Sequence, residues 1–138
     1  MDAQFERLGA QSRAEYSIGH TDRFAAAVSQ RSISNFISLE GTSDYGIVLS
    51  EGQQLAGTFH DIEKTWWHSP LKYAHNVKTP TLFIQAMQDY RCPVSEAMQM
   101  YTALKMNGTK TRMCLFYGEI MTFPERENPE AGLKGYKK

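Results

Sequence analysis

The run Thr81-Leu82-Phe83-Ile84-Gln85-Ala86, which follows Pro80, has the composition of a buried β-strand. Its continuous apolar character predicts burial on both faces, as is usual for a strand inside a parallel sheet. Beyond it, apolar residues recur at three- and four-residue steps from Val94 to Leu104. This spacing predicts a helix that begins at Pro93 and ends at Asn107-Gly108.

Two further segments have the composition of strands, one on either side of this unit. Thr111–Tyr117 follows the helix, and the small apolar segment Ala25–Ser29 lies far upstream. Strand, helix and strand over about 35 residues form a parallel crossover, which is right-handed in nearly all known sheets. We therefore predict an α/β fold with about three parallel strands and flanking helices, and a helix stripe of Met98, Tyr101 and Leu104 that belongs to the core.

The rest of the chain gives weaker signals. Phe5–Ile18 is expected to be helical and to stop at Gly19, and residues 31–68 contain helical pieces between glycines. Residues 123–138 are polar and punctuated by proline, which predicts a loop or frayed tail. The full length of 138 residues suits a single domain.

Composition excludes several classes of protein. Fifteen Lys and Arg balance fifteen Asp and Glu, so there is no net positive field to attract nucleic acid or a membrane surface. No apolar run approaches the length of a membrane span, and the opening residues lack the features of a signal peptide. The two cysteines and four histidines have no metal-ligand spacing. We expect a cytoplasmic protein with free thiols, no cofactor and no metal site.

The loop after the central strand, Gln88–Pro93, places Asp89 at the carboxyl end of that strand. Functional groups gather at this edge in open α/β sheets. Two interpretations of Asp89 are open: it orients a catalytic histidine, or it caps a turn and pairs with Arg91.

Four blocks of the sequence resemble the acylaminoacyl-peptidase branch of the prolyl oligopeptidase family. They are His20–Asn35, Ser69–Ala74, Val77–Leu82 and Asp89–Pro93, within a similarity that runs from Gly19 to Glu119. The resemblance implies the C-terminal part of an α/β-hydrolase catalytic domain, and hydrolysis of peptide or acyl-peptide bonds through an acyl-enzyme. It also implies that Asp89 stands where the family has its catalytic acid.

Two departures from the family concern the other members of the triad. The family's G-x-S-x-G elbow is missing after Arg7-Leu8-Gly9, and the nearby Ser12 and Ser17 lack the flanking glycines that such a turn needs. The family's Gly-Glu-Asn-His run reads Gly118-Glu119-Ile120-Met121, so Met121 stands in the place of the base. We therefore expect a truncated chain that is inactive alone.

The resemblance also draws attention to Phe36, Trp66 and Trp67, which would either line a hydrophobic specificity pocket or simply cover the sheet. A sheet cut to three strands has open edges and apolar surface, which favour pairing with another chain. We expect a homo-oligomer, most simply a twofold dimer, or association with a complementing hydrolase fragment. A peptide substrate is expected only in the complemented case.

Overall fold

A computed structural model of the chain describes residues 13–48 and 60–117. In chain order the elements are α1 (Arg13–His20), β1 (Ala27–Gln30), α2 (Phe36–Thr42), α3 (Ile62–His68), a 3₁₀ helix (Pro70–Asn76), β2 (Thr81–Ala86), α4 (Val94–Met106) and β3 (Thr111–Phe116).

The strands form one parallel sheet of three strands in the order β1-β2-β3. Ala27 pairs with Thr81, and Thr81 pairs with Thr111, so the three strands begin level with one another. All three therefore end at the same edge, and the loops that follow β1 and β2 meet there. The predicted α/β fold of parallel strands and flanking helices is confirmed.

The two faces of the sheet differ sharply. Side chains alternate along each strand. On the helix-covered face, the buried or half-buried residues are Ala27, Ser29, Thr81, Phe83, Gln85, Thr111 and Met113, and Leu115 near the end of β3 is exposed. On the other side, here called the open face, the half-buried or exposed residues are Val28, Gln30, Leu82, Ile84, Arg112, Cys114 and Phe116, and Ala86 at the end of β2 is buried. Right-handed crossovers that run in one direction across a sheet lie on the same side of it, which explains the asymmetry.

The open face corrects two predictions about the strands. Burial of β2 on both faces is only partly right, since Leu82 and Ile84 are half-buried while Phe83 is fully buried. The first strand begins at Ala27 rather than Ala25, and its central Val28 is 57% exposed. Val28 is exposed because β1 is an edge strand and its side chain points to the open face.

Helix α4 has the predicted start and end but is rotated from the predicted phase. Gly108 adopts a left-handed φ of 79° just after the helix, as a C-terminal stop requires. The inward residues are Glu96, Ala97, Met100 and Leu104, whereas Met98 is 40% exposed and Tyr101 is half-buried at the core margin. The prediction that Met98 belongs to the core is therefore wrong, because buried Glu96 takes an inward position to bind the loop after β1.

The core consists of two apolar clusters. The larger lies between the sheet and its helices and contains Ile18, Ala74, Val77, Phe83, Ala97, Met100 and Leu104. The smaller lies beyond the carboxyl edge of the strands and contains Ile33, Phe36, Leu39 and Cys92. The smaller cluster packs beneath the loops that carry the candidate site.

Several predictions fall wholly or partly outside the described residues. The beginning of the helix predicted from Phe5, part of the region 31–68 and the tail 123–138 are among them. Within 13–48 and 60–117, no helix has both the length and the apolar composition needed to cross a bilayer. The helix predicted to stop at Gly19 continues to His20.

Gly19 lies where α1 meets the 3₁₀ helix. A Cβ at this position would come within 2.8 Å of the Tyr73 Cβ, closer than such atoms pack. We expect Gly19→Ala to lower the free energy of unfolding by about 1 to 3 kcal/mol, because the two elements must separate to accommodate the methyl group. Urea denaturation followed by circular dichroism measures the change.

The control is Gly41→Ala in α2, where an added Cβ meets nothing within 4 Å. Alanine is favoured over glycine in a helix by about 1 kcal/mol, so this variant should be as stable as the parent or more so. Equal destabilisation by both substitutions would contradict the packing role of Gly19.

Candidate functional site

Asp89 is buried in the loop that joins β2 to α4. Its Oδ1 accepts hydrogen bonds from the backbone N–H groups of Arg91, at 3.0 Å, and Cys92, at 2.9 Å. Local bonds of this kind are the usual way for an aspartate to close a turn on itself. The carboxylate therefore fixes the path of the chain from the end of the strand to Pro93, where α4 begins.

The other Asp89 oxygen is bound by an arginine from the neighbouring strand. Arg31 Nε donates to Oδ2 at 2.8 Å, and Arg31 Nη2 lies 3.5 Å from Oδ1. Arg31 directly follows β1, and its backbone N–H donates to the carbonyl of Ile84 at 3.2 Å. The parallel pairing of β1 with β2 thus brings guanidinium and carboxylate together at the carboxyl edge.

The backbone of Arg31 is left-handed, with φ 55°. Such a conformation is uncommon for a residue with a side chain, and it is retained only where surrounding contacts fix it. Here it turns the chain sharply at the end of β1. The guanidinium then points to Asp89 while Ser32 points into the protein.

The turn-capping interpretation of Asp89 is confirmed for the backbone, but the predicted ion pair with Arg91 is wrong. Arg91 Nε donates instead to Asp44 Oδ1 at 2.7 Å, in an exposed pair. The partner of the buried Asp89 carboxylate is the partly buried Arg31, which sequence reasoning missed. A polar residue at the end of the neighbouring parallel strand is the signal that could have identified it.

Three buried side chains from other elements hold the rest of the turn after β1. Gln85 Oε1 accepts from the Ser32 N–H at 3.0 Å, while its Nε2 donates to the Cys92 carbonyl at 2.6 Å. Glu96 Oε2 accepts from the N–H groups of Ser34, at 3.2 Å, and Asn35, at 2.8 Å. The third is Glu15 of α1, which binds the hydroxyls of Ser29 and Ser32.

Burial changes the acid–base properties of several of these groups. It raises the pKa of Glu15 to about 7 and also raises the pKa of Glu96. Burial raises the pKa of the Cys92 thiol to about 11. Cys92 is consequently a protonated core residue at neutral pH and not a nucleophile.

No histidine in the described part of the chain binds Asp89. His20 Nδ1 donates to the Tyr16 carbonyl at 2.7 Å, and His68 Nδ1 donates to the Lys64 carbonyl at 2.7 Å. No group of three or more His, Cys, Asp or Glu within 13–48 and 60–117 is arranged to hold a metal ion. Among the described residues, Asp89 is bound only by Arg31 and two backbone amides.

The other residues singled out from the sequence lie apart from this centre. Phe36 is buried in the smaller apolar cluster, Trp66 is half-buried in α3, and Trp67 is 58% exposed with the Lys72 Nζ 4.0 Å from its ring centroid. The assignment of these three aromatic residues to a substrate pocket stays a prediction. Ser17 is half-buried in α1, and Ser12 and Met121 lie outside the described residues.

Comparison with known proteins gives a consistent answer. The model of the "Prolyl oligopeptidase family" matches residues 14–120. The chain is 48% identical over 117 residues to the "Uncharacterized peptidase YuxL" of Bacillus subtilis, covering 85% of this chain and 18% of that protein. It is 30% identical over 102 residues to the acylamino-acid-releasing enzyme of Arabidopsis thaliana, covering 69% of this chain and 13% of that protein.

Solved structures agree with the sequence comparisons. The acylaminoacyl peptidase of Pyrococcus horikoshii superposes with a TM-score of 0.72 and 29% identity, over 77% of this chain and 17% of that one. The chain therefore spans less than a fifth of the length of each of these three proteins.

The Asp89 pair should be important for stability. Asp89→Asn removes the charge that faces a partly buried guanidinium and weakens the acceptor of two backbone N–H groups. We expect a loss of about 2 to 3 kcal/mol in the free energy of unfolding. Chemical denaturation at pH 7 measures it.

Asp44→Asn is the matched control, since it breaks the exposed pair with Arg91. Exposed pairs contribute at most about 1 kcal/mol, and the control should lose less than that. If the two variants were equally stable, Asp89 would not be the anchor of this loop.

Proposed function

The chain belongs to the prolyl oligopeptidase family, and we propose that it forms the part of a peptidase catalytic domain that carries the catalytic acid. On its own, this chain does not hydrolyse peptide bonds. One observation carries the proposal. The Asp89 carboxylate, which the resemblance places at the position of the family's catalytic acid, is bound by the Arg31 guanidinium and by backbone amides, and no described histidine reaches it.

Serine peptidase chemistry needs three cooperating groups. A base takes the proton of the nucleophilic hydroxyl and later returns it to the leaving amine, while the acid orients the base and stabilises its charged form. Arg31 cannot substitute for the base, because a guanidinium stays protonated and has no lone pair to accept a proton. Without a basic partner, Asp89 has no side chain to orient for catalysis.

The sequence supports the same conclusion at the two other positions. Met121 stands where the resemblance places the base, and a thioether is not a proton acceptor near neutral pH. Ser12 and Ser17 lack the flanking glycines of a nucleophile elbow.

If another polypeptide supplies the serine and the histidine, peptide or acyl-peptide bonds are the substrates we propose. The similar proteins named as acylamino-acid-releasing enzymes and acylaminoacyl peptidases support this class. In that assembly the histidine would have to share the Asp89 carboxylate with Arg31, which already donates to its Oδ2. Of the predicted pocket residues, Trp66 and Trp67 retain surface that a substrate could contact.

A fluorophosphonate, which labels activated serines, tests the proposal. Intact-mass analysis of the purified chain should show no adduct, because no serine within 13–48 and 60–117 donates to a histidine that could activate it. An active serine hydrolase treated in parallel shows that the reagent works. A stoichiometric adduct on any serine of the chain would overturn the proposal.

The open face supports a second candidate function, a non-catalytic module that pairs with another copy of itself. Apolar Val28, Leu82 and Ile84 are incompletely covered by the described residues. Burying such surface favours association, and the outer edges of β1 and β3 have no strand partner in the described sheet.

Light scattering coupled to size-exclusion chromatography tests this alternative. We expect a dimer at micromolar concentration, and we expect Val28→Lys to shift it to monomer because a charge would be buried between the copies. Met106→Lys is the control, since Met106 is exposed at the end of α4, away from the open face. A monodisperse monomeric parent chain would contradict self-association.

A further inference from the structure

We propose that Glu15 is a proton-controlled latch: with a proton on its carboxyl it holds the turn after β1 against α1, and that turn loosens when the proton leaves. The inference does not rest on the proposed function, because it concerns the stability of the turn and not hydrolysis.

The two oxygens of the Glu15 carboxyl differ in their hydrogen bonds. The side chain is fully buried, and Oε1 accepts from the Ser29 hydroxyl at 2.5 Å and from the Ser32 hydroxyl. Oε2 is equally buried, but no donor in the described residues reaches it. A proton on Oε2 leaves both serine bonds to Oε1 intact.

Ionisation of Glu15 is costly in this arrangement. The carboxylate would leave a buried, negatively charged oxygen without a donor, whereas the neutral acid leaves only an unpaired hydroxyl, and burying an unpaired charge costs far more than burying an unpaired polar group. Burial raises the pKa of Glu15 to about 7, although the Ser29 and Ser32 hydroxyls and the nearby Ile33 N–H oppose the shift. The carboxyl therefore changes charge near neutral pH.

Two titratable groups from other elements interact with Glu15. Glu96 of α4 is a like charge and further raises the pKa of Glu15. Cys92, in the loop before α4, interacts with Glu15, but its own pKa of about 11 keeps it neutral below pH 8. Neither supplies a cation that would favour the Glu15 anion.

Glu96 is buried as well, yet it is not a comparable latch. Its Oε2 accepts from two backbone amides, and its Oε1 accepts from the Ser38 hydroxyl at 2.6 Å. Both oxygens therefore have donors that stabilise the anion. Among these buried acids, Glu15 alone has an oxygen without a donor in the described residues.

The latch acts on the residues that reach the candidate site. Ser32, which Glu15 holds, is adjacent to Arg31, whose left-handed backbone directs its guanidinium to Asp89. Movement of Ser32 would therefore disturb the Arg31–Asp89 pair.

The first experiment compares stability at two pH values. The unfolded chain releases the Glu15 proton near the ordinary value of 4.5, whereas the folded chain keeps it until about 7. The unfolding equilibrium constant should therefore rise as pH rises, roughly thirtyfold between pH 5.5 and 8 from this one group. Urea denaturation at both pH values measures the ratio.

Glu15→Gln keeps the shape and a neutral charge, so it should remove most of this thirtyfold change. Glu63→Gln is the control: Glu63 is exposed in the first turn of α3, and the change should persist in that variant. An unchanged pH dependence in Glu15→Gln would overturn the proposal.

A second measurement serves if Glu15→Gln does not fold. Carbon-13 resonances of the glutamate carboxyl groups in the parent chain should include one that titrates near neutral pH, and it should persist in Glu96→Gln. At the same pH, hydrogen exchange of the Ser32 and Ile33 amides should accelerate beyond its intrinsic pH dependence. Titration of every glutamate below pH 5.5 would overturn the latch.

Discussion

The turn after β1 can be buried only because side chains from three other elements satisfy its polar groups. A chain that leaves a strand at the carboxyl edge exposes backbone amides that secondary structure does not pair, and an unpaired buried amide costs about 1 to 3 kcal/mol. Gln85 and Glu96 accept from the amides of Ser32, Ser34 and Asn35, and Glu15 binds the serine hydroxyls. The position of Arg31, and hence of its pair with Asp89, depends on these acceptors.

The same acceptors explain which parts of the structure could be predicted. Strand β2 and the limits of α4 follow from apolar content, proline and glycine, since local preferences and burial agree in those segments. The phase of α4 could not be predicted, because a glutamate in an amphipathic helix normally faces water. Glu96 faces inward because its carboxylate binds the loop after β1 and the start of α2, about sixty residues away.

The residues of the candidate site also differ in how far the sequence could identify them. Asp89 could be identified from its place after a buried strand and from the resemblance to a family. Arg31 is marked only by its place at the end of the neighbouring strand. Its pair with Asp89 depends on strand pairing over a separation of 58 residues and on a left-handed backbone that sequence pattern does not indicate. Long-range pairs between buried polar residues are the part of a fold that local sequence describes least well.

Asp89 performs two tasks that do not require each other. Its Oδ1 closes the turn between β2 and α4, and its Oδ2 neutralises the guanidinium that follows β1. Both tasks stabilise the fold whether or not a histidine is present, so loss of catalytic partners would not relax the requirement for aspartate here. An intact acid loop therefore indicates that this edge of the sheet is stable, and it is not by itself a sign of retained peptidase activity. Activity has to be judged at the nucleophile and the base.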